Sequence, residues 1–391
     1  MIKFADQIFF EVPRSSVSSL VALFVIYVSI YLKDWGSQWV NANAAIFLLL
    51  LGLLLGLVAL VGSTKRNFKV INKDGSGLLV FISFMSASIF GLAATGQLNL
   101  SSYYIAIPCA LIITKLNPNL FIRLLVIHFV ISVLVQAFEY FSGQYLFIFT
   151  AADGTNLDET LFGGSLDVFR AKGMFQGPLS AVAFGIWIAF LFARNALVAS
   201  IFLLSAFFAS GRFGMLVGVF ILLFGFFAKE KKIEAGGVLP VFGVICGIAV
   251  LFIYADADRI FFIASALDVG NDQNVSRIYF WLAAISHYFS YSPINLVFGN
   301  IGFIQQQEGG TENDFLRLLL DCGFVGFSIY VLAVAALVIR AKRKKDAEGL
   351  FIALLIVTSM NIFPFIQSLS SAILFWLYFF YKMQKINRAE T

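Results

Sequence analysis

Charge is scarce in this sequence. Asp, Glu, Lys and Arg make up 13% of its 391 residues, about half of what a soluble globular domain carries, so the chain cannot present a water-facing surface along its whole length. Histidine and cysteine are nearly absent as well. His128 and His287 stand alone, outside any metal-ligand spacing, and Cys109, Cys246 and Cys322 fall inside apolar runs with no partner pattern. A metal cluster or a disulfide framework is therefore not what organises the fold. There is no G-x-x-x-x-G-K-[ST] loop and no polar stretch large enough for a nucleotide-binding domain. Any catalysis must draw on a substrate that arrives already activated, with neither cofactor nor metal. No internal repeat of the transporter type is visible.

What fills the sequence instead is apolar. Hydrophobic residues account for 60% of the chain and the mean hydropathy is +0.90. Runs of about twenty apolar residues, each bounded by charged or turn residues, recur from end to end and read as membrane spans. The first run, near 16–32, lacks a small-residue cleavage site and is long enough to span, so it reads as a helix and not as a signal peptide. Spans are expected near 16–32, 44–62, 77–95, 100–114, 120–141, 177–193, 196–209, 213–228, 238–254, 314–339, 349–363 and 366–381. The expected fold is thus an all-α integral membrane protein, one polytopic domain over 1–391 with about twelve transmembrane helices.

The connections alternate in charge. Lys3 and Arg14, the 65–73 cluster, Lys115 with Arg123, Arg194, the 229–232 cluster, Arg340 to Lys345, and Lys382 onward all fall on one face. The positive-inside rule makes that face cytoplasmic and puts both termini there. A pI near 9.0 follows from this topology and does not point to nucleic acid. On the opposite face lie two long loops, near 142–176 and 255–312. They are too rich in Phe, Tyr, Leu and Trp for disorder, and loops of such length are usually functional. The working side of the protein faces outward.

Seven basic residues remain on that outward side: Lys33, Arg170, Lys172, Arg212, Arg259, Arg277 and Arg317. Each can be read as a snorkelling or ion-paired side chain. Arg317 nevertheless lies about one turn inside a span, where a charge costs on the order of 2.5–3.5 kcal/mol. Arg212 sits in the very short turn Ser210-Gly211-Arg212. Arg170 and Lys172 immediately precede the break Gly173-Met174-Phe175-Gln176-Gly177-Pro178. Arginine's planar fork matches phosphate oxygens, and several converging at the membrane surface could hold a diphosphate whose hydrocarbon tail stays in lipid. Arg277 opens Ile278-Tyr279-Phe280-Trp281-Leu282, which reads as an amphipathic helix in the interface plane, or simply as an aromatic belt. Further on, Thr311 and Asp314 have capping-box spacing at the start of a span. Capping leaves Glu312 and Asn313 unexplained at its outer mouth, where a carboxylate could act as general base toward a sugar hydroxyl.

Taken in order, these segments resemble the O-antigen polymerase and ligase superfamily, from about Arg170 to the last span. Arg170-Ala171-Lys172-Gly173-Met174-Phe175-Gln176-Gly177-Pro178 is similar to its "R-x-x-G-x-F-x-x-P" lead into a span, and Ser210-Gly211-Arg212 to its short Ser-Arg turn. Arg277 through Trp281, with Pro293 and Phe298-Gly299-Asn300-Ile301-Gly302, resembles "R-x-x-x-W … P-x-x-G-x-G". Glu312-Asn313 followed after nine residues by Gly323-Phe324-Val325-Gly326 resembles the ligases' "H-N-x9-G-x-x-G". Ligases carry His where this chain has Glu312, which favours a polymerase.

The resemblance implies a bacterial inner-membrane, multi-pass glycosyltransferase that joins undecaprenyl-diphosphate-linked repeat units of a surface polysaccharide at the periplasmic face. Arg170, Arg212 and Arg277 would bind the diphosphate, with Lys172 and Arg317 in support. Glu312 would act on the acceptor hydroxyl, helped by Asn313 and Asp314. Its partners would be the lipid-linked oligosaccharide, the bilayer and a chain-length regulator. A ligase, a lipid-linked oligosaccharide flippase, and a metal-independent transferase using Asp34 in the first outer loop are the alternatives.

Overall fold

The computed structural model describes residues 16–34, 42–62, 83–86, 88–93, 96, 101–148, 169–175, 177–192, 195–209, 212–227, 272–300, 313–362 and 365–384. The described residues form helices and no strand. These are α1 (Val17–Asp34), α2 (Ala42–Gly62), α3 (Ser102–Leu116), α4 (Pro118–Ser142), α5 (Pro178–Leu191), α6 (Ala196–Phe208), α7 (Arg212–Phe227), α8 (Asp272–Phe289), α9 (Pro293–Phe298), α10 (Asp314–Arg343), α11 (Ala347–Ile362) and α12 (Leu369–Gln384). Among them α1, α4 and α10 are long and apolar enough to cross a membrane, and several shorter helices, one of them Ser83–Ala93, are equally apolar. The protein is an all-α membrane protein. Eleven of the twelve expected spans coincide with a helix; the one near 238–254 lies outside the described residues, as does most of the two outer loops.

Local sequence sets where these helices begin. Proline opens α4, α5 and α9, where its missing N–H costs nothing and its fixed φ is already helical. Asn195 caps α6 by accepting from the Leu197 and Val198 N–H groups at 3.1 and 3.3 Å. The interfacial helix expected after Arg277 is α8, and it is longer than expected, starting at Asp272. Tyr279, Leu282 and Phe289 are exposed along it, while Ala284 packs on Leu320 with Tyr288 and Tyr291 alongside.

The chain divides into two compact units. The first holds 1–124 and 277–391, the second 125–276. In the first unit α3 packs on α12, α1 on α2, and α10 on α11. Its centre is aromatic and hydrogen-bonded. Trp376 Nε1 donates to the Tyr330 hydroxyl at 2.9 Å, which donates to the Tyr103 carbonyl at 2.8 Å, tying α12, α10 and α3 together. The end of α1 and the starts of α3, α10 and α12 lie together, because Lys33 donates to Ser102 Oγ and Asp34 accepts from the start of α12. The opposite end carries basic residues: Arg340 Nη2 donates to the Met383 carbonyl at 2.7 Å, and Lys382 pairs with Asp346 at 3.0 Å. In the second unit α5, α6 and α7 pack closely. A Cβ at Gly185 would sit 2.6 Å from Phe202, and one at Gly218 2.5 Å from Leu203, the small-residue contact typical of helices associating in lipid.

Candidate functional site

In the second unit the candidate site is the broken segment ahead of α5. Within the segment Phe175 N–H donates to the Lys172 carbonyl at 3.3 Å, which leaves further backbone groups to be satisfied from outside it, and in a membrane each unpaired backbone group costs several kcal/mol. Polar side chains of α4 supply the missing partners. Ser132, Gln136 and Glu139 share one face at i, i+4 and i+7, and all three are fully buried. Glu139 Oε2 accepts from the Lys172 and Gly173 N–H groups at 2.9 and 2.8 Å, and Oε1 accepts from Leu146 N–H at 3.2 Å. Ser132 Oγ accepts from Met174 N–H at 3.1 Å, and Gln136 Oε1 accepts from Ser205 Oγ at 2.7 Å. The segment lies so close on α4 that a Cβ at Gly173 would come within 2.5 Å of Ser132 Oγ. Gly173 also has φ +62°, which a side chain disfavours.

That clamp decides where Arg170 goes. Ala171 N–H donates to the Phe208 carbonyl at 3.0 Å, and Arg170 Nε donates to the Ala209 carbonyl at 3.2 Å. A cation at the last carbonyls of α6 is favourable by itself. The bond places the Arg170 side chain at Ala209, the C-cap of α6, three positions before Arg212 in the sequence; Ser210 and Gly211 lie outside the described residues. Arg212 is the first residue of α7; the structure describes its backbone but not its side chain. Lys172 is turned inward and fully buried, its ammonium 5.1 Å from the centre of the Tyr145 ring and interacting electrostatically with Glu139. It lies beneath the segment, not on its outer side.

In the first unit the candidate residues gather where α10 begins. The capping box expected from Thr311 and Asp314 is replaced by a different cap. The helix opens at Asp314, and Asn313 is its N-cap, accepting from Leu316 N–H at 3.1 Å and donating to the Asn361 carbonyl at 2.9 Å. Asp314 is thereby released from capping its own helix. Fully buried, it accepts from the Phe365 and Ile366 N–H groups at 2.7 and 2.8 Å, with the Tyr103 hydroxyl at 3.4 Å. Asp34 accepts from the Leu369 and Ser370 N–H groups at 3.1 and 2.7 Å, so the acid considered as a catalytic alternative holds the start of α12 from the end of α1. Arg317 pairs with Asp321 at 3.4 Å and donates through Nη1 to Gln367 Oε1 at 2.5 Å. The turn between α11 and α12 is thus held by three charged side chains. Glu312 lies outside the described residues.

Two glycine segments of the resemblance also meet in this unit. At Gly323 α10 is kinked, with φ +63° and ψ −169°, a conformation essentially confined to glycine. The kink frees the Leu320 carbonyl, which a straight helix would pair with residue 324, and Asn300 N–H donates to it at 2.8 Å. Gly299 and Gly323 pack backbone on backbone, with no room for a Cβ on either. Arg277 lies in α8, within the same unit, and again only its backbone is described.

The structure therefore brings Arg170 to the end of α6 at Ala209, and the Gly299 segment to Gly323. It leaves Asn313, Asp314, Arg317 and Lys172 engaged with neighbouring groups of the chain. Ser132, Gln136 and Glu139 are site residues that the sequence reading passed over; their signal was a polar stripe on an otherwise apolar helix. Among the described residues, no group of three His, Cys, Asp or Glu side chains is placed to hold a metal. No family model matches the chain, and no curated protein matches it.

Proposed function

We propose that this chain is a surface-polysaccharide polymerase of the O-antigen type, acting at the periplasmic face of the bacterial inner membrane with both termini cytoplasmic and about twelve spans. The observation that carries the reading is the bond from Arg170 to the Ala209 carbonyl. It joins two arginine-bearing segments, far apart in sequence, at one end of α5 to α7. Two guanidinium-bearing positions at the end of an apolar bundle suit a diphosphate whose polyprenyl tail remains in lipid.

The reaction needs neither nucleotide nor metal, because the donor's anomeric carbon already bears a diphosphate leaving group. The acceptor hydroxyl of a second lipid-linked unit attacks that carbon; the new C–O bond forms as the bond to the diphosphate breaks. The hydroxyl proton passes to Glu312 and undecaprenyl diphosphate departs. Arg170, Arg212 and Arg277 stabilise the charge that grows on it. Lys172 and Arg317 support this from within, by holding the segments on which those residues act. Asn313 and Asp314 fix the start of α10, and with it the place of the preceding Glu312. The exposed apolar side chains of α8 offer the polyprenyl chain a surface to lie against.

The test is incubation of purified protein in detergent with the lipid-diphosphate-linked repeat unit of its host. A ladder of longer lipid-linked glycans, formed without nucleotide or divalent metal, is expected. A charge-assisted hydrogen bond contributes about 1.5–3 kcal/mol, so Arg212→Ala and Arg277→Ala should each slow the ladder roughly 10- to 100-fold. Unchanged polymer length in both variants would remove the site assignment. No ladder, but passage of labelled substrate across a liposome bilayer, would identify a flippase. Transfer to a lipid A core acceptor would identify a ligase.

A further inference from the structure

We propose that Glu139 is the positioning residue of the diphosphate site: it acts through the 170–175 segment to deliver the Arg170 guanidinium to its place at the Ala209 carbonyl, at the end of α6. This rests on the functional reading above, but its geometry is separate. Glu139 is one side chain from a different helix, three residues before the end of α4. Its two oxygens hold three backbone N–H groups from both sides of the intervening loop, Leu146 before it and Lys172 and Gly173 after it. The Lys172 donor is two residues from Arg170, so the clamp ends where the guanidinium begins. The segment's other anchors act in the same direction. Tyr145 donates its hydroxyl to the Arg170 carbonyl at 3.1 Å, and Ala171 is bonded to Phe208. The peptide that follows Arg170 is thereby held at both its carbonyl and its N–H while the Arg170 side chain reaches Ala209. The buried ammonium of Lys172 offsets the carboxylate's charge.

A carboxylate is suited to this because it is acceptor-only. Glutamine at 139 would keep the shape, yet it would turn an NH2 donor toward one of the N–H groups now bonded. The segment should then shift while the surrounding helices stay packed. A residue that merely stabilises the fold would lower activity independently of Arg170. One that works through Arg170 should lose its effect when Arg170 is already gone.

The experiment is a double-mutant cycle on the full-length protein, with folded yield checked by size-exclusion profile and melting point. Glu139→Gln is expected to cut kcat/KM for the lipid-linked donor about tenfold, and Arg170→Ala about thirtyfold. The double variant should match Arg170→Ala to within about threefold. Losses that multiply, or a Glu139→Gln protein as active as wild type, would overturn the assignment. If the wild type makes no polymer, the functional reading fails. The same cycle is then read in binding of undecaprenyl diphosphate to the purified protein. There a shared, non-multiplying loss upholds the positioning role, and independent losses or none refute it. If Glu139→Gln does not yield folded protein, Ser132→Ala, which withdraws only the Met174 acceptor, takes its place in the cycle under the same criteria.

Discussion

Each unit of this protein contains a stretch of non-helical chain leading into a helix, and each holds it with a buried carboxylate that accepts from two consecutive N–H groups. In the second unit Glu139 takes Lys172 and Gly173 ahead of α5. In the first, Asp314 takes Phe365 and Ile366, and Asp34 takes Leu369 and Ser370, ahead of and at the start of α12. The device is the same, but the surroundings differ. Around 365–370 the polar groups among the described residues turn inward on the chain: Arg317 is spent on Asp321 and Gln367, and Asn313 on its own helix and Asn361. Around 170–175 the clamp instead fixes the peptide from which Arg170 reaches out to the Ala209 carbonyl at the end of α6. Polar residues of similar type thus serve the backbone in one unit and present a cation in the other.

Glycine substitutions test the comparison most severely. Gly323→Ala should abolish folded protein, because ε-region backbone costs about 1–3 kcal/mol for a side chain and the new Cβ would strike the backbone of Val297 and Gly299. The expected readout is loss of the monodisperse peak on size exclusion. Should Gly323→Ala fold normally, the close contact between α10 and the Gly299 turn is wrong. Asp314→Ala comes next. It strands two buried N–H donors, each costing about 1–3 kcal/mol, and should lower the detergent melting point sharply. An unchanged melt would mean that the 365–366 turn is held by something else. The smallest effect is expected from Asp34→Ala, which removes a cap and should cost about 1–2 kcal/mol. Hydrogen exchange should show it as faster opening confined to the first turn of α12.

Much of the fold was legible in the sequence because a span announces itself locally. Twenty apolar residues between charges need no partner to be recognised, and the amphipathic run after Arg277 appears as α8 for the same reason. The Gly173–Pro178 break was equally plain, since two glycines and a proline fall within six residues there, whereas single ones such as Pro108 and Gly185 are carried inside helices. What stayed hidden is pairing over distance. Asp34 and Leu369 are 335 positions apart, and Asp314 and Phe365 are 51 apart; nothing near either aspartate names its partner. Asp314 was misread as part of a capping box because its neighbour Thr311 offered a sufficient local explanation. The stripe Ser132, Gln136, Glu139 is visible at i, i+4 and i+7 in the sequence, but nothing local to it names the 172–174 backbone that it serves.

The bond between Asp34 and the start of α12 has a consequence for biosynthesis. Its acceptor lies in α1 and its donors open α12, 335 and 336 positions later. During synthesis the carboxylate waits for partners that have not yet been made, and this bond closes only when residues 369 and 370 arrive. A nascent chain stopped before α12 leaves Asp34 without those donors and α3 without the helix that packs on it.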